Sequence, residues 1–294
     1  MMIKKLLFPT KFGELDLNSL ESIFPLKDVG LKEVVLYYVI PREEVGFVPY
    51  GGYLKEEEQR IREEVRIRFE GWQKKLTEAA IDSGIVIEVG DPVADILKTA
   101  DKEKIDMMVI GRKKIGADRS LFGSRTTQIV TRSLIPVLVS KYMVEYKYEG
   151  EKVTRINKDI FKVPLFASDW SKPSLKALEL LTSLNGIVQK AHICHVIDVK
   201  ISGRVGTEEL QRIEKESRYR LEGYKERLES AGIQTETHLG AGKSPAEIIR
   251  ISRDVDATMI IIGTTGKDRL QDFVIGSTSQ RVAQLSELPT LLVP

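Results

Sequence analysis

The chain is poor in the residues that most often hold metals or build covalent frameworks. It has one cysteine, Cys194, and three histidines, His192, His195 and His238. One cysteine excludes an intramolecular disulfide and fits a reducing interior, and its apolar surroundings mark Cys194 as an inert core residue. His192 and His195 lie three apart on an expected strand, so their side chains face opposite sides, which argues against a metal site shared by that pair. Neither an H-E-x-x-H helix nor a G-x-S-x-G elbow occurs. Net charge is also nearly absent: 45 Lys and Arg oppose 43 Asp and Glu, for a formal +2. Without a cationic field, nucleic acid and anionic membrane are not expected partners. No apolar run approaches the ~18 residues of a membrane span. The opening MMIKKLLFPTKFGELD is broken by Pro9 and Lys11 too soon for a signal h-region. A soluble cytoplasmic protein is expected.

What is present is a repeat. At 294 residues the length suits about two domains. Ile105–Gly111 (IDMMVIG) resembles Ala257–Gly263 (ATMIIIG), LFGSR from Leu121 resembles VIGST from Val274, and LIPVLV from Leu134 resembles ELPTLLV from Glu287. The offset is 152 to 153 residues, as from Gly111 to Gly263 and from Gly123 to Gly276, too long for a solenoid unit. Within each half, short apolar runs alternate with amphipathic helical patterns. In the second half these are a strand at 163–168, a helix opened by Ser171-Lys-Pro173, a strand at 191–196, a long charged helix from Thr207 to Ala231 ended by Gly232, and a last strand at 290–293. The first half repeats the order from Lys5–Pro9 to Pro136–Ser140. Alternation of this kind implies right-handed crossovers and parallel sheets covered on both faces. The expected fold is two tandem doubly wound, Rossmann-like α/β domains, residues 1–140 and 161–294. Residues 141–160 are either a charged linker or a hairpin turning at Glu149-Gly150.

One stretch imitates a phosphate loop. His238–Pro245 (HLGAGKSP) contains Gly-Lys-Ser, but a P-loop needs glycine five positions before Gly242, where Thr237 stands. The helix expected to follow begins at Pro245, which lacks an N–H group. The corresponding Glu88–Pro92 carries no Gly-Lys-Ser, so no P-loop role is assigned.

The stronger pattern lies downstream. Gly263-Thr-Thr-Gly266 is followed, after nine residues, by Gly276-Ser277-Thr278-Ser279. Glycines at a strand tip permit sharp turns and close approach to phosphate, and a hydroxyl-rich helix start offers free N–H groups to an anion. This spacing resembles the ATP-binding signature of the universal stress protein family. VPLFASDWSKPSLKALELL (Val163–Leu181) is similar to that family's opening strand, turn and helix, and His195–Asp198 to the tip of its second strand. The resemblance spans nearly the whole chain and implies five-stranded sheets of order 3-2-1-4-5. It implies ATP or AMP as ligand, with Mg2+ or Mn2+ on a triphosphate. Ala167, Ser168 and Asp169 would border the adenine–ribose side, and Val196 the adenine. Ile262, Gly263, Thr264 and Gly266 would border ribose and phosphates, with Gly276, Ser277, Thr278 and Ser279 holding the phosphate chain. Lys267 and Arg269 either add charge there or sit in a solvated loop, and Asp169 is equally an N-cap.

The first half departs from this pattern. Lys11 stands where the family has Asp, and the loop Gly111-Arg-Lys-Lys-Ile-Gly116 lacks glycine at 114. Either this half is degenerate, or Lys11, Arg112, Lys113 and Lys114 serve a smaller anion. Three functions remain: a nucleotide-binding regulatory or sensor protein, a weak ATPase using Asp169 or Asp272 to orient water, and a structural stress scaffold. The resemblance also implies pairing of last strands (137–139 with 291–293) into an intramolecular pseudo-dimer, and a possible homodimer.

Overall fold

A computed structural model describes residues 2–13, 16–46, 55–111, 124–141, 143–148, 151–198, 206–264 and 276–294, with the backbone alone for 124, 143–148 and 151–156. The chain divides into two compact units, Ile3–Val137 and a second that contains Leu138–Pro294.

The first half runs β1 (Lys5–Pro9), α1 (Asp16–Glu21), β2 (Glu33–Pro41), α2 (Lys55–Glu78), β3 (Asp82–Gly90), α3 (Pro92–Lys102), β4 (Met107–Gly111), α4 (Ser124–Arg132) and β5 (Val137–Ser140). β1 pairs in parallel with β2 and β4, and β2 with β3. The strand order is β3-β2-β1-β4-β5. Residues 143–156, where a linker and a hairpin were both open, form an antiparallel hairpin of β6 (Met143–Tyr148) and β7 (Glu151–Ile156).

The second half repeats the plan: β8 (Pro164–Ala167), α5 (Lys172–Thr182), β9 (Lys190–Asp198), α6 (Thr207–Ser230), β10 (Gln234–Gly242), α7 (Ser244–Asp254), β11 (Met259–Gly263), α8 (Ser277–Leu285) and β12 (Thr290–Val293). Its order is β10-β9-β8-β11-β12, all parallel.

The central strands are buried on both faces, which is why they read as unbroken apolar runs: every residue of β8, β11 and β12 is buried. The long helices are amphipathic instead. Ile61, Val65, Phe69, Trp72 and Leu76 of α2 recur at helical spacing and are buried, each side chain stabilising by about 1.5–3 kcal/mol. Flanking this stripe are exposed pairs such as Arg60 with Glu57 and Glu64. Gly232, with φ +88°, follows α6 in the left-handed conformation that ends a helix at little cost.

Candidate nucleotide site of the second half

In sheets of this order the crevice opens at the carboxyl ends of the strands flanking the reversal, here β8 and β11. Ala167 ends β8, and Ser168 continues the pairing by donating its N–H to the Cys194 carbonyl at 2.9 Å. Asp169 then organises the turn. Its Oδ1 accepts the Ser171 N–H (3.0 Å) and the Ser174 hydroxyl (2.8 Å), while its own N–H reaches Ser174 Oγ at 3.3 Å. The N-cap of α5 is Ser171, whose hydroxyl accepts from Ser174 N at 3.4 Å. Asp169 is therefore not the cap; it anchors the turn leading to it.

At β11, Gly263 meets a constraint different from the sharp turn expected of it. It is a buried strand residue, and a Cβ there would lie 2.8 Å from Ser174 N and 2.9 Å from Pro173. The glycine is required because the start of α5 packs directly on the strand tip. Thr264 N–H bonds the Val293 carbonyl (2.8 Å), and Gly276 N–H bonds the Thr264 carbonyl at 2.5 Å. The buried Ser279 donates to the Gly263 carbonyl at 2.6 Å. Ser279 thus fastens α8 to β11, and its hydroxyl proton is committed to that bond. Gly276 is the N-cap of α8 and, among the described residues, no side chain caps the helix; Ser277 is exposed and Thr278 half-buried beside it. The first-turn N–H groups have no side-chain acceptor among the described residues, and the positive end of the helix dipole favours an anion there. Gly266, Lys267 and Arg269 lie outside the described residues, as does Asp272.

Val196 and His195 project to opposite faces of β9. Val196 lies on the α7 face, where a Cβ at Gly240 would meet its Cγ2 at 3.5 Å and Ile251 at 3.4 Å. His195 lies on the α6 face, within an aromatic group that sequence reasoning missed. Trp170, at φ 67°, stacks on His195 with centroids 4.7 Å apart and meets Tyr224 edge-on at 5.1 Å; the Arg220 guanidinium sits 5.8 Å over the indole. The Trp170 N–H is held by Ser168 Oγ at 3.1 Å, and His195 Nδ1 lies 2.8 Å from the Ser168 carbonyl. Burial pushes the Tyr224 hydroxyl up, with its bond to Ser168 and the Arg220 charge acting against that. A signal for this group existed: Phe12 and Trp170 both follow the opening strand, and Arg68 and Arg220 share the long-helix repeat.

The same turn in the first half is built differently. Lys11 occupies the Asp169 position, and the carboxylate comes from Asp16, whose Oδ2 accepts the Thr10 hydroxyl (2.6 Å) and the Gly13 N–H (2.8 Å). A Cβ on Gly111 would lie 3.3 Å from Asp16 Oδ1. A carboxylate therefore faces the strand tip where the second half presents a helix N-terminus. Phe12, at φ 55°, stacks on Tyr38 beneath Arg68, beside a cavity of about 350 Å³ lined also by Glu44, Arg60 and Glu64. The loop holding Arg112, Lys113 and Lys114 lies outside the described residues.

The HLGAGKSP loop is occupied by acidic contacts. Ser244 Oγ donates to Asp198 Oδ2 at 3.3 Å, and a Cβ on Gly242 (φ +148°) would meet Glu247 at 2.8 Å. Helix α7 starts at Ser244, one residue before the expected Pro245.

Fold and site together define a tandem protein of two doubly wound, Rossmann-like domains, with an uncapped helix start at the strand tips of the second. The sequence model described as the Universal stress protein family matches residues 2–141 and 161–294, and the chain belongs to that family. It is 29% identical over 156 residues to universal stress protein MJ0577 of Methanocaldococcus jannaschii, covering 48% of this chain and 96% of that protein. It is 31% identical over 118 residues to universal stress protein YxiE of Bacillus subtilis, covering 40% of this chain and 72% of that one. The crystal structure of a universal stress protein from Archaeoglobus fulgidus shares the fold across both domains, with a TM-score of 0.69 at 24% identity over 98% of this chain and 95% of that one. Among the described residues, no helix is long and apolar enough to cross a membrane.

Proposed function

We propose that the second half binds an adenine nucleotide, ATP or AMP, and that occupancy is the signal by which this protein regulates or senses. The uncapped start of α8, held against the β11 tip by the Ser279–Gly263 bond, carries this reading. It supplies N–H donors that no described side chain caps, at the end of the sheet where ligands of open α/β folds bind. Asp169 Oδ2, which makes no hydrogen bond with the described residues, is left to accept from a ribose hydroxyl, and Val196 to contact the base. The motif's likeness to the family's ATP signature selects the nucleotide; a triphosphate would bring Mg2+ or Mn2+ with it. Pairing of the halves through their last strands, and of two chains into a homodimer, belongs to the same proposal and is read by sedimentation with and without nucleotide.

Isothermal titration with ATP and AMP is the test. A Gly276→Val substitution puts a branched side chain at the mouth of the helix start and is expected to weaken binding by tenfold or more, with the circular dichroism spectrum kept. Absence of binding in the parent protein overturns the proposal. Metal-dependent ATP turnover lost together with binding would make the protein an ATPase.

A further inference from the structure

The three histidines do not act as the sequence order suggests. His195 faces α6, but His192 is directed to the other side of β9, and the parallel register sets Glu236 of β10 opposite His192. Glu236 and His238, two apart on a strand, share that face. His192 Nδ1 lies 2.9 Å from His238 Nε2 and 3.6 Å from Glu236 Oε2, and one donor atom from each of the three lies within 4.8 Å of the others.

The geometry points to a site for a divalent transition-metal ion of the Zn2+ class, held by His192, Glu236 and His238. Two imidazole nitrogens with one carboxylate oxygen are a donor set for Zn2+, Co2+ or Ni2+, with a fourth position left to water; Mg2+ and Ca2+ would want more oxygens. The protein groups are set for it. His192 is buried, and His238 half-buried beside it. Burial first, then the neighbouring His238 and Lys190 charges, hold His192 down to about 4; burial also lowers His238. Both rings are therefore neutral at physiological pH, the form that ligates. The present nitrogen–nitrogen contact needs one ring proton between the two rings. A metal in its place requires that proton to move to the distal nitrogen of its own ring, a tautomer change that releases nothing to solvent. Glu236 is more than half exposed, giving the ion an entry from the edge strand β10. Lys190 Nζ holds Glu236 Oε1 at 2.8 Å, leaving Oε2 for the cluster. Asp254, paired with Arg250 at the end of α7, is the other charge acting on His238.

His192 lies near the N-terminal end of β9, about 13 Å along the strand from Val196 at roughly 3.3 Å per residue. The site is thus separate from the nucleotide crevice. Its effect is to clip the edge strand β10 to β9, so metal would stabilise the second half by an amount that rises with the logarithm of its concentration above Kd.

Untagged, chelator-stripped protein dialysed against Zn2+ without nucleotide is expected to retain one equivalent per chain. Glu236→Gln and His238→Gln, at exposed and half-buried positions, should each weaken this by tenfold or more. Co2+ should give the visible absorption of a four-coordinate ion. In the parent protein, imidazole NMR should show Zn2+ moving the His192 and His238 rings and leaving His195 unchanged. No saturable equivalent, binding unchanged in both variants, or Zn2+ shifts confined to His195 would each overturn the site.

Discussion

The turn after the first strand compares the two halves most directly. Both carry a hydroxyl (Thr10, Ser168) that accepts the N–H of an aromatic residue two positions on (Phe12, Trp170), and both hold that aromatic at positive φ. Both stack it on a ring from the second strand, under an arginine from the long helix. The difference is the origin of the carboxylate. In the second half Asp169 at the strand tip ties down α5, so Ser174 N and Pro173 pack on Gly263. In the first, Lys11 takes the tip and Asp16 reaches back from α1 to face Gly111. One shared backbone turn therefore packs different groups on the two strand tips: the start of α5 on Gly263, the Asp16 carboxylate on Gly111.

The two tryptophans fall one in each half, Trp72 and Trp170, so Trp→Phe variants give each half its own fluorescence reporter. The largest difference expected between the halves is their response to acid. All three histidines lie in the second half, and His192 is held at about 4 against an ordinary 6.5, with burial the main cause. A histidine depressed in the folded state leaves the unfolded chain binding more protons between those values. Its stability contribution is full above pH 6.5 and is lost as pH falls to about 4. Denaturant melts followed through Trp170 should weaken across that window, and His192→Gln should flatten the change. Equal weakening through Trp72 would break the comparison.

Next in size is the pair of strand-tip glycines. Gly263→Ala forces a Cβ against backbone at 2.8 Å and should cost about 1–3 kcal/mol by overpacking. Gly111→Ala meets only a movable carboxylate at 3.3 Å and should cost less than about 1 kcal/mol. Urea midpoints of the two variants decide this, and equal losses would mean the α5 approach is softer than its geometry.

Asp16→Ala removes the oxygen that accepts both the Gly13 N–H and the Thr10 hydroxyl, for about 1–2 kcal/mol seen through Trp72. The smallest effect is expected from Arg68→Ala and Arg220→Ala. Each removes a cation from over an exposed-side ring and should cost about 0.5–1 kcal/mol, but only Arg220→Ala should also shift Trp170 emission.

Much of this was legible before the structure. The repeat offset and the alternation of apolar runs with amphipathic helices gave the element order, and the strand positions follow the sequence-based bounds within a few residues. Gly276 and Ser277 stand where their motif placed them, at the start of α8. The reason for Gly263 was misread, because a glycine required by a neighbour's approach looks the same in sequence as one required by a turn. Asp16 was invisible as the partner of Asp169, since the two occupy different positions in the repeat and only the fold brings them to one role. His192 and His195 are near neighbours in sequence, but the contact His192 makes crosses from β9 to His238 on β10.

The sequence by itself determined the class of fold, its duplication and the half that keeps the glycine–serine motif, because these follow from local periodicity and from the length between repeats. Only the tertiary structure decided which group packs on each strand tip and which histidines meet. Those outcomes depend on strand register and helix approach, where a shift of one residue turns a side chain to the other face of the sheet.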